Sequence, residues 1–168
     1  MGNELRIRPV LDTDAPKLAA LLNEIIARGG TTALEQPFTP AALYEAMLTG
    51  PDVYCCFVAE DAAGHLVGFQ TLTRSDHLPD GVGDIGTFTR VGSVQKGTGS
   101  RLFAATQRAA GERGLTAINA TIRADNVGGL AFYGRLGFID NSISRAVPLS
   151  DGTLVDRISR RYVVRPGG

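Results

Sequence analysis

The chain has 168 residues, and its 17 basic and 17 acidic side chains cancel. This length suits one core, so we predict a single domain over residues 1–168. The balanced charge excludes a global field that would attract nucleic acid or an anionic membrane, and no apolar stretch approaches the ~18 residues of a membrane span. We therefore expect no nucleic-acid or membrane partner. We also expect a cytoplasmic location, since the first residues, MGNELRIRPV, lack the apolar run of a signal peptide.

The hydrophobic pattern predicts short strands that alternate with helices, which is typical of a mixed sheet covered by helices. A stripe of Leu18, Leu22 and Ile25 marks the first helix, and Asp151-Gly152 marks a terminal hairpin. The predicted elements in chain order are a strand over 5–10, a helix after an N-cap at 12–14, a second helix over 39–50, strands over 53–60, 66–74 and 84–91, a helix over 99–113, a strand over 115–122, a short helix over 127–136, and strands over 142–149 and 153–164.

A strand, a glycine loop, a helix and a second strand follow one another between residues 84 and 122. A helix between neighbouring strands indicates a parallel pair with a right-handed crossover. The loop Gln95-Lys96-Gly97-Thr98-Gly99-Ser100 lies where the helix begins. Glycines allow close backbone approach, and the first amides of a helix favour an anion, so the loop is a candidate phosphate site. It fits neither the P-loop nor the dinucleotide-binding pattern.

Two motifs in this order resemble the GNAT superfamily of N-acetyltransferases. The first is the pyrophosphate loop [RQ]-x-x-G-x-[GA], which VQKGTG at 94–99 matches at both glycines, with Val94 in place of Arg or Gln. The second is N-x-x-A-x-x-x-Y-x-x-x-G-F. Here Asn126, Tyr133, Gly137 and Phe138 occupy its positions, and Gly129 replaces the alanine.

A third match narrows the resemblance to one subfamily. The segment NEIIARGGTTALEQPFT, residues 23–39, is similar to the stretch after the first helix in phosphinothricin and amino-acid N-acetyltransferases. Those enzymes carry a Thr-rich loop and then E-P-x-T, whereas this chain has Gln36 in place of the glutamate.

The resemblance implies an α/β (α+β) fold with a mixed sheet of about seven strands and about four covering helices, splayed where acetyl-CoA binds. It implies acetyl-CoA as cosubstrate and no metal; His65 and His77 have no metal-ligand company in the sequence. The implied cofactor-binding residues are Thr87, Phe88, Thr89, Gln95, Lys96, Gly97, Thr98, Gly99, Ser100 and Asn126.

The resemblance also assigns chemistry to single residues. Tyr133 is the implied general acid for the leaving thiolate, and the subfamily's glutamate before the cofactor strand aligns with Asp84, our candidate general base. Two further candidates come from their positions in the sequence. Glu35, in the substrate-side loop, is the second candidate base, and Arg74, which ends a strand beside the loop over 75–83, is the candidate for binding a substrate carboxylate. Structural alternatives remain open: a strand-end role for Asp84, a solvated loop for Glu35, packing for Tyr133 and a helix cap for Asn126.

The function so implied is direct transfer of acetyl to the amino group of a small amino-acid-like substrate. One alternative is a GNAT enzyme for another amine: an aminoglycoside, a polyamine or a protein N-terminus. The other is a non-catalytic acyl-CoA sensor, because a fold alone does not settle activity. Small GNAT enzymes of this type are often homodimers, and the terminal hairpin over 142–164 is long for this chain, so we expect a homodimer.

Overall fold

The structure is a computed structural model that describes residues 4–92 and 97–165. Within this part of the chain, no helix has both the length and the apolar composition needed to cross a bilayer. The elements are β1 Arg6–Pro9, α1 Ala15–Arg28, α2 Pro40–Leu43, β2 Val53–Glu60, β3 Leu66–Thr73, β4 Val82–Thr89, α3 Thr98–Glu112, β5 Ala117–Arg123, α4 Val127–Leu136, β6 Ile139–Pro148 and β7 Leu154–Val163.

All seven strands of the described residues form one sheet in the order β1-β2-β3-β4-β5-β7-β6. Every neighbouring pair is antiparallel except β4 and β5, which are parallel and are joined through α3. The mixed seven-stranded sheet with four helices and the predicted parallel crossover are both confirmed.

The sheet opens between β4 and β5. These strands pair at only three positions, the last of which joins Asp84 to Asn119. Beyond it, β4 continues on β3 alone as far as Thr89, while β5 continues on β7 as far as Arg123. The backbone edge of β4 after Asp84 is therefore not paired to a strand on this side, and the predicted splay is confirmed.

The two larger apolar clusters lie on opposite faces of the sheet. One packs α1 against the strands and contains Leu22, Phe69 and Cys56. The other contains Phe103 of α3 and Phe138, with the half-buried Cys55 packed against it. The adjacent cysteines thus point to opposite faces, as expected for neighbours in a strand; they are free thiols.

Several predicted boundaries shift by a few residues. The second helix begins at Pro40 after the predicted Thr39 cap, and its last turn is π-helical over Tyr44–Leu48. One local prediction is wrong. Asp14 does not cap α1: its carboxylate accepts from the Leu11 amide at 2.8 Å and pairs with Arg8 at 2.8 Å. Pro16, near the helix start, has no N–H for a capping carboxylate to accept from.

Candidate active site

A cleft of about 1010 Å³ opens where β4 and β5 diverge. Its walls are the unpaired half of β4, the first residues of α3 and α4, the end of β5 and the loop after α1. The site is thus built at the one parallel step of the sheet, where two strand ends separate and two helices begin.

The start of α3 forms one wall of this cleft. Gly97 occupies the N-cap position with φ +82°, a left-handed conformation that favours glycine, and it has no side chain to cap the helix. A Cβ on Gly99 would lie 2.6 Å from the Phe132 ring, so the backbone there approaches α4 closely. Gly97, Thr98 and Gly99 line the cleft, whereas Ser100 does not. Gln95 and Lys96 lie outside the described residues.

The free half of β4 forms the floor. Thr87, Phe88 and Thr89, to which the family resemblance assigns an extended ligand arm, all line the cleft. An open strand edge presents backbone amides and carbonyls that such an arm can pair with.

Tyr133 of α4 reaches this floor. Its hydroxyl lies 2.9 Å from Oγ1 of Thr87, and only 8% of the residue is exposed. Burial, opposed by the Thr87 hydrogen bond, raises the pKa of Tyr133 to about 12. The phenol is therefore protonated at neutral pH, as a proton donor must be.

Asp84 lies on the same strand at the point where the sheet opens. Its Oδ1 accepts a hydrogen bond from the Asn119 amide at 3.1 Å, and its Oδ2 has no hydrogen-bond partner among the described residues. Burial raises the pKa of Asp84, against the hydrogen bond from Asn119 and the positive charge of Arg161. A carboxylate with a raised pKa and one free oxygen is a competent proton acceptor.

Asn126 lies at the mouth of the cleft and serves the fold as well. Its Oδ1 accepts from the Gly129 amide at 2.9 Å and caps α4, while its Nδ2 donates to the Thr31 carbonyl at 2.9 Å. The helix-cap alternative is therefore realised. An amide group has further donor and acceptor capacity, so the cap does not exclude a ligand contact.

The structure does not bring Glu35 or Arg74 to the cleft lining. The Glu35 carboxylate accepts from the Ser150 hydroxyl at 2.7 Å and from the Ser150 amide at 2.9 Å. These hydrogen bonds lower the pKa of Glu35, which makes it a weaker base. The exposed Arg74 guanidinium pairs instead with Asp52 at 3.1 Å and Asp76 at 2.7 Å.

Arginines that the sequence reasoning missed line the cleft. Arg123 and Arg157 face each other in the β5–β7 register, and Arg28 ends α1. Arg123 is held by the Asp125 carboxylate at 2.8 Å, whereas Arg157 is half-buried without a hydrogen bond or ion pair to any described residue. Asp84 is the only carboxylate among the described lining residues.

The described residues contain no group of three or more metal-ligating side chains. His77 is the one histidine among the described residues that line the cleft, and His65 lies beside Asp61 in the β2–β3 turn.

Comparison with known proteins gives the family of this chain. Residues 20–138 match the family model described as the acetyltransferase (GNAT) family. No curated protein shows a significant match to the chain.

Solved structures share the fold over nearly the whole chain. One, provisionally named a phosphinothricin N-acetyltransferase, is 22% identical with a TM-score of 0.83, covering 96% of this chain and 99% of its own. A phosphinothricin acetyltransferase from Sinorhizobium meliloti in complex with acetyl-CoA is 16% identical with a TM-score of 0.81, covering 95% and 88%. A ribosomal-protein-alanine N-acetyltransferase from Brucella melitensis is 18% identical with a TM-score of 0.81, covering 94% and 99%.

Proposed function

The chain belongs to the acetyltransferase (GNAT) family, and from this premise we propose that it transfers acetyl from acetyl-CoA to the amino group of a small amino-acid-like substrate. The observation that carries the proposal is the charge pattern of one cleft. Asp84, the one carboxylate among the described lining residues, is half-buried at the sheet opening beside the buried phenol of Tyr133, and arginines line the same cleft.

The donor half of the cleft suits acetyl-CoA. The wall at Gly97 and Gly99 offers backbone rather than side chains, and a helix N-terminus favours the charge of a pyrophosphate. The unpaired edge of β4 from Thr87 to Thr89 suits the amide-bearing pantetheine arm as an added strand. When bound, acetyl-CoA supplies an activated thioester.

Asp84 is our general base. An α-amino group has a pKa of about 7.7–8.0 and must lose a proton before it attacks a thioester. The free Oδ2 of Asp84 accepts this proton, directly or through a water molecule, and burial of the carboxylate favours its protonated form. Glu35 would need to leave Ser150 to do the same, so it stays the second candidate.

Tyr133 is our general acid. Its hydroxyl is held against β4 by Thr87, on the strand that we assign to the thioester arm. Because burial keeps the phenol protonated, it can donate its proton to the departing sulfur. Asp84 and Tyr133 thus bracket the free half of β4, one for each proton of the reaction. A sensor that only binds acyl-CoA transfers no proton, so these two roles also distinguish an enzyme from such a sensor.

The charged side chains that line the cleft support the proposed class of amine substrate. Four arginines are among the described residues that line the cleft. Arg28, Arg90 and Arg157 have no ion-pair partner among the described residues, whereas Arg123 pairs with Asp125. Such a cleft attracts a carboxylate-bearing amine and repels polycations, which disfavours polyamines and aminoglycosides. A protein N-terminus remains the second candidate, since the Brucella melitensis protein with the same fold is named for that reaction.

A thiol-release screen tests this proposal. The protein is incubated with acetyl-CoA and each of the twenty amino acids, methionine sulfoximine, phosphinothricin, spermidine, an aminoglycoside and an alanine-initiated peptide. Mass spectrometry then confirms the acetylated product. We expect at least one amino acid or analogue to react well above the polycations. Activity confined to polycations or to the peptide would overturn the acceptor assignment.

Assembly as a homodimer belongs to the same proposal. The edge strand β6 is exposed along most of its length, and Ile139 and Ile143 are 70% and 49% exposed. An open edge with exposed isoleucines favours self-association. Sedimentation at high concentration should give twice the chain mass, and a monomer would end this part of the proposal. The cytoplasmic location stays a prediction.

A further inference from the structure

Gln70 of β3 is an unusual residue for its place in the core. The side chain is fully buried in a strand whose other residues are almost all buried. Its Nε2 donates to Oγ1 of Thr87 at 3.0 Å, and its Oε1 has no hydrogen-bond partner among the described residues. A buried polar atom without a partner is costly, and an apolar residue of similar size would avoid that cost. Packing alone therefore does not account for a glutamine here.

The amide of Gln70 is one end of a short hydrogen-bond chain. Gln70 and Thr87 are directly opposed in the β3–β4 register, which puts their side chains on one face of the sheet. Thr87 Oγ1 also lies 2.9 Å from the Tyr133 hydroxyl. A buried amide is thus connected through one hydroxyl to the phenol that lines the cleft.

The direction of these hydrogen bonds matters. A threonine hydroxyl has one proton and two acceptor positions. Because Gln70 donates to Thr87, the Thr87 proton is available for the Tyr133 oxygen. Tyr133 then accepts through its oxygen, and its own proton is left for the cleft.

We propose that Gln70 and Thr87 are positioning residues that orient the Tyr133 hydroxyl toward the leaving sulfur, and that Thr87, held by Gln70, donates to the Tyr133 oxygen as negative charge develops there. The inference rests on the proposed function, in which Tyr133 is the acid. In that step the Tyr133 O–H bond breaks, the S–H bond of free CoA forms, and solvent returns a proton to the tyrosinate.

Such a donor has a specific task in this site. Burial raises the pKa of Tyr133 and so makes the phenol a weaker acid, whereas the hydrogen bond with Thr87 lowers that pKa. A hydrogen bond to the charged form of a group lowers its pKa and strengthens as the charge grows. The hydrogen bond of Gln70 goes to Thr87 and not to the phenol, so Gln70 acts on Tyr133 through Thr87.

The first test compares Thr87→Val, Thr87→Ser and Gln70→Met. Valine keeps the shape and removes the hydroxyl, whereas serine keeps the hydroxyl. We expect Thr87→Val to lower kcat at least tenfold with KM for acetyl-CoA within about twofold, Thr87→Ser to restore kcat to within about threefold, and Gln70→Met to fall between them. Thr106→Val is the matched control, because it removes a fully buried hydroxyl that has no partner among the described residues.

The second test does not depend on turnover. A fluorotyrosine at position 133, whose phenol ionises nearer neutral pH, is titrated by ¹⁹F NMR with Thr87 and with Thr87→Val. We expect loss of the Thr87 donor to raise the pKa of that phenol by about half a unit or more. An unchanged pKa would overturn the relay.

A double-mutant cycle separates the relay from the acid role. In a Tyr133→Phe background, Thr87→Val should cause no further loss of kcat, because the hydroxyl that it orients is gone. A full additional loss would overturn the proposal and indicate that Thr87 acts elsewhere. If Tyr133→Phe alone keeps wild-type turnover, the acid role fails, and the fluorotyrosine titration still decides whether Thr87 donates to position 133.

Discussion

Asp84 and Asn119 form the last paired register between the parallel strands β4 and β5, and the Asn119 amide donates to the Asp84 carboxylate at 3.1 Å. Asn119 is itself fixed, since its Oδ1 accepts from Ser159 at 2.6 Å and from Arg161 at 2.9 Å. The carboxylate is thus held at the point where the sheet opens, with one oxygen bound and the other available.

Asp84→Asn should separate activity from stability. Burial raises the pKa of Asp84, so folding favours its protonated form, and the ionised side chain destabilises the fold at pH values above that raised pKa. Asparagine stays neutral at every pH. We therefore expect an unchanged or higher melting temperature at pH 7 and a kcat lower by roughly 10²–10⁴.

Asp52→Asn is the control for this substitution, because Asp52 is exposed and its one ion pair among the described residues is with Arg74. It should leave kcat near that of the wild type. Loss of both activity and stability in Asp84→Asn would make Asp84 structural, whereas unchanged kcat would remove it as the base.

The pH dependence of kcat/KM should follow Asp84. A base works in its ionised form, so activity falls as pH drops through the pKa of the carboxylate. Because burial raises that pKa, this limb should lie above the ordinary value of about 3.9. A pH–rate profile for wild type and Asp84→Asn checks it: the limb should vanish in the variant, and its persistence would point to another base.

Tyr133→Phe keeps the ring and its packing against Phe132 and Phe138. If the hydroxyl donates the proton, kcat should fall by roughly 10²–10⁴ while acetyl-CoA affinity and melting temperature change little. The assay must be run where chemistry limits turnover. A kcat within about threefold of wild type would mean that water or another group protonates the thiolate.

Gly97→Val should abolish acetyl-CoA binding while the fold persists. Valine at φ +82° is strained, so the wall that approaches the pyrophosphate must change shape. Gly64→Val is a matched control, since Gly64 has φ +84° and equally open surroundings, but lies in the β2–β3 turn. Calorimetry should show lost affinity only for Gly97→Val; equal affinity in both variants would remove the phosphate-site assignment.

Arg157→Gln and Arg74→Gln should behave differently toward the acceptor. Arg157 lines the cleft without a partner among the described residues, whereas Arg74 lies outside the lining and pairs with two aspartates. We expect Arg157→Gln to raise the acceptor KM about tenfold or more, the usual cost of losing a charged hydrogen bond, and Arg74→Gln to leave it nearly unchanged. The reverse result would restore the sequence-based role of Arg74.

Local patterns predicted much of this site. The spacing from Asn126 through Tyr133 to Gly137 places a capped helix over the cleft, and Gly97 adopts the left-handed conformation that its motif implies. The other features of the site depend on contacts between residues far apart in the chain, which local patterns do not predict. Arg157 lies at the cleft because β7 pairs with β5, where Arg157 is opposite Arg123. Glu35 accepts a hydrogen bond from Ser150, which is 115 residues away in the chain.

Gln70 shows why such features escape sequence reasoning. In the strand 66–73 it follows an apolar run and precedes Thr71, and only its cross-strand neighbour Thr87 gives it a role. The single domain over residues 1–168 stays a prediction, as do the roles of Gln95 and Lys96.

The most direct measurement of the central claim compares paired acceptors. With acetyl-CoA and the wild-type protein, kcat/KM is measured for the best amino acid of the screen, for its carboxamide, which keeps the α-amine and loses the carboxylate charge, and for spermidine. A cleft whose described lining holds one half-buried carboxylate and arginines without an ion-pair partner there should favour the amino acid over both by at least about tenfold. Equal rates for acid and amide, or a preference for spermidine, would contradict it.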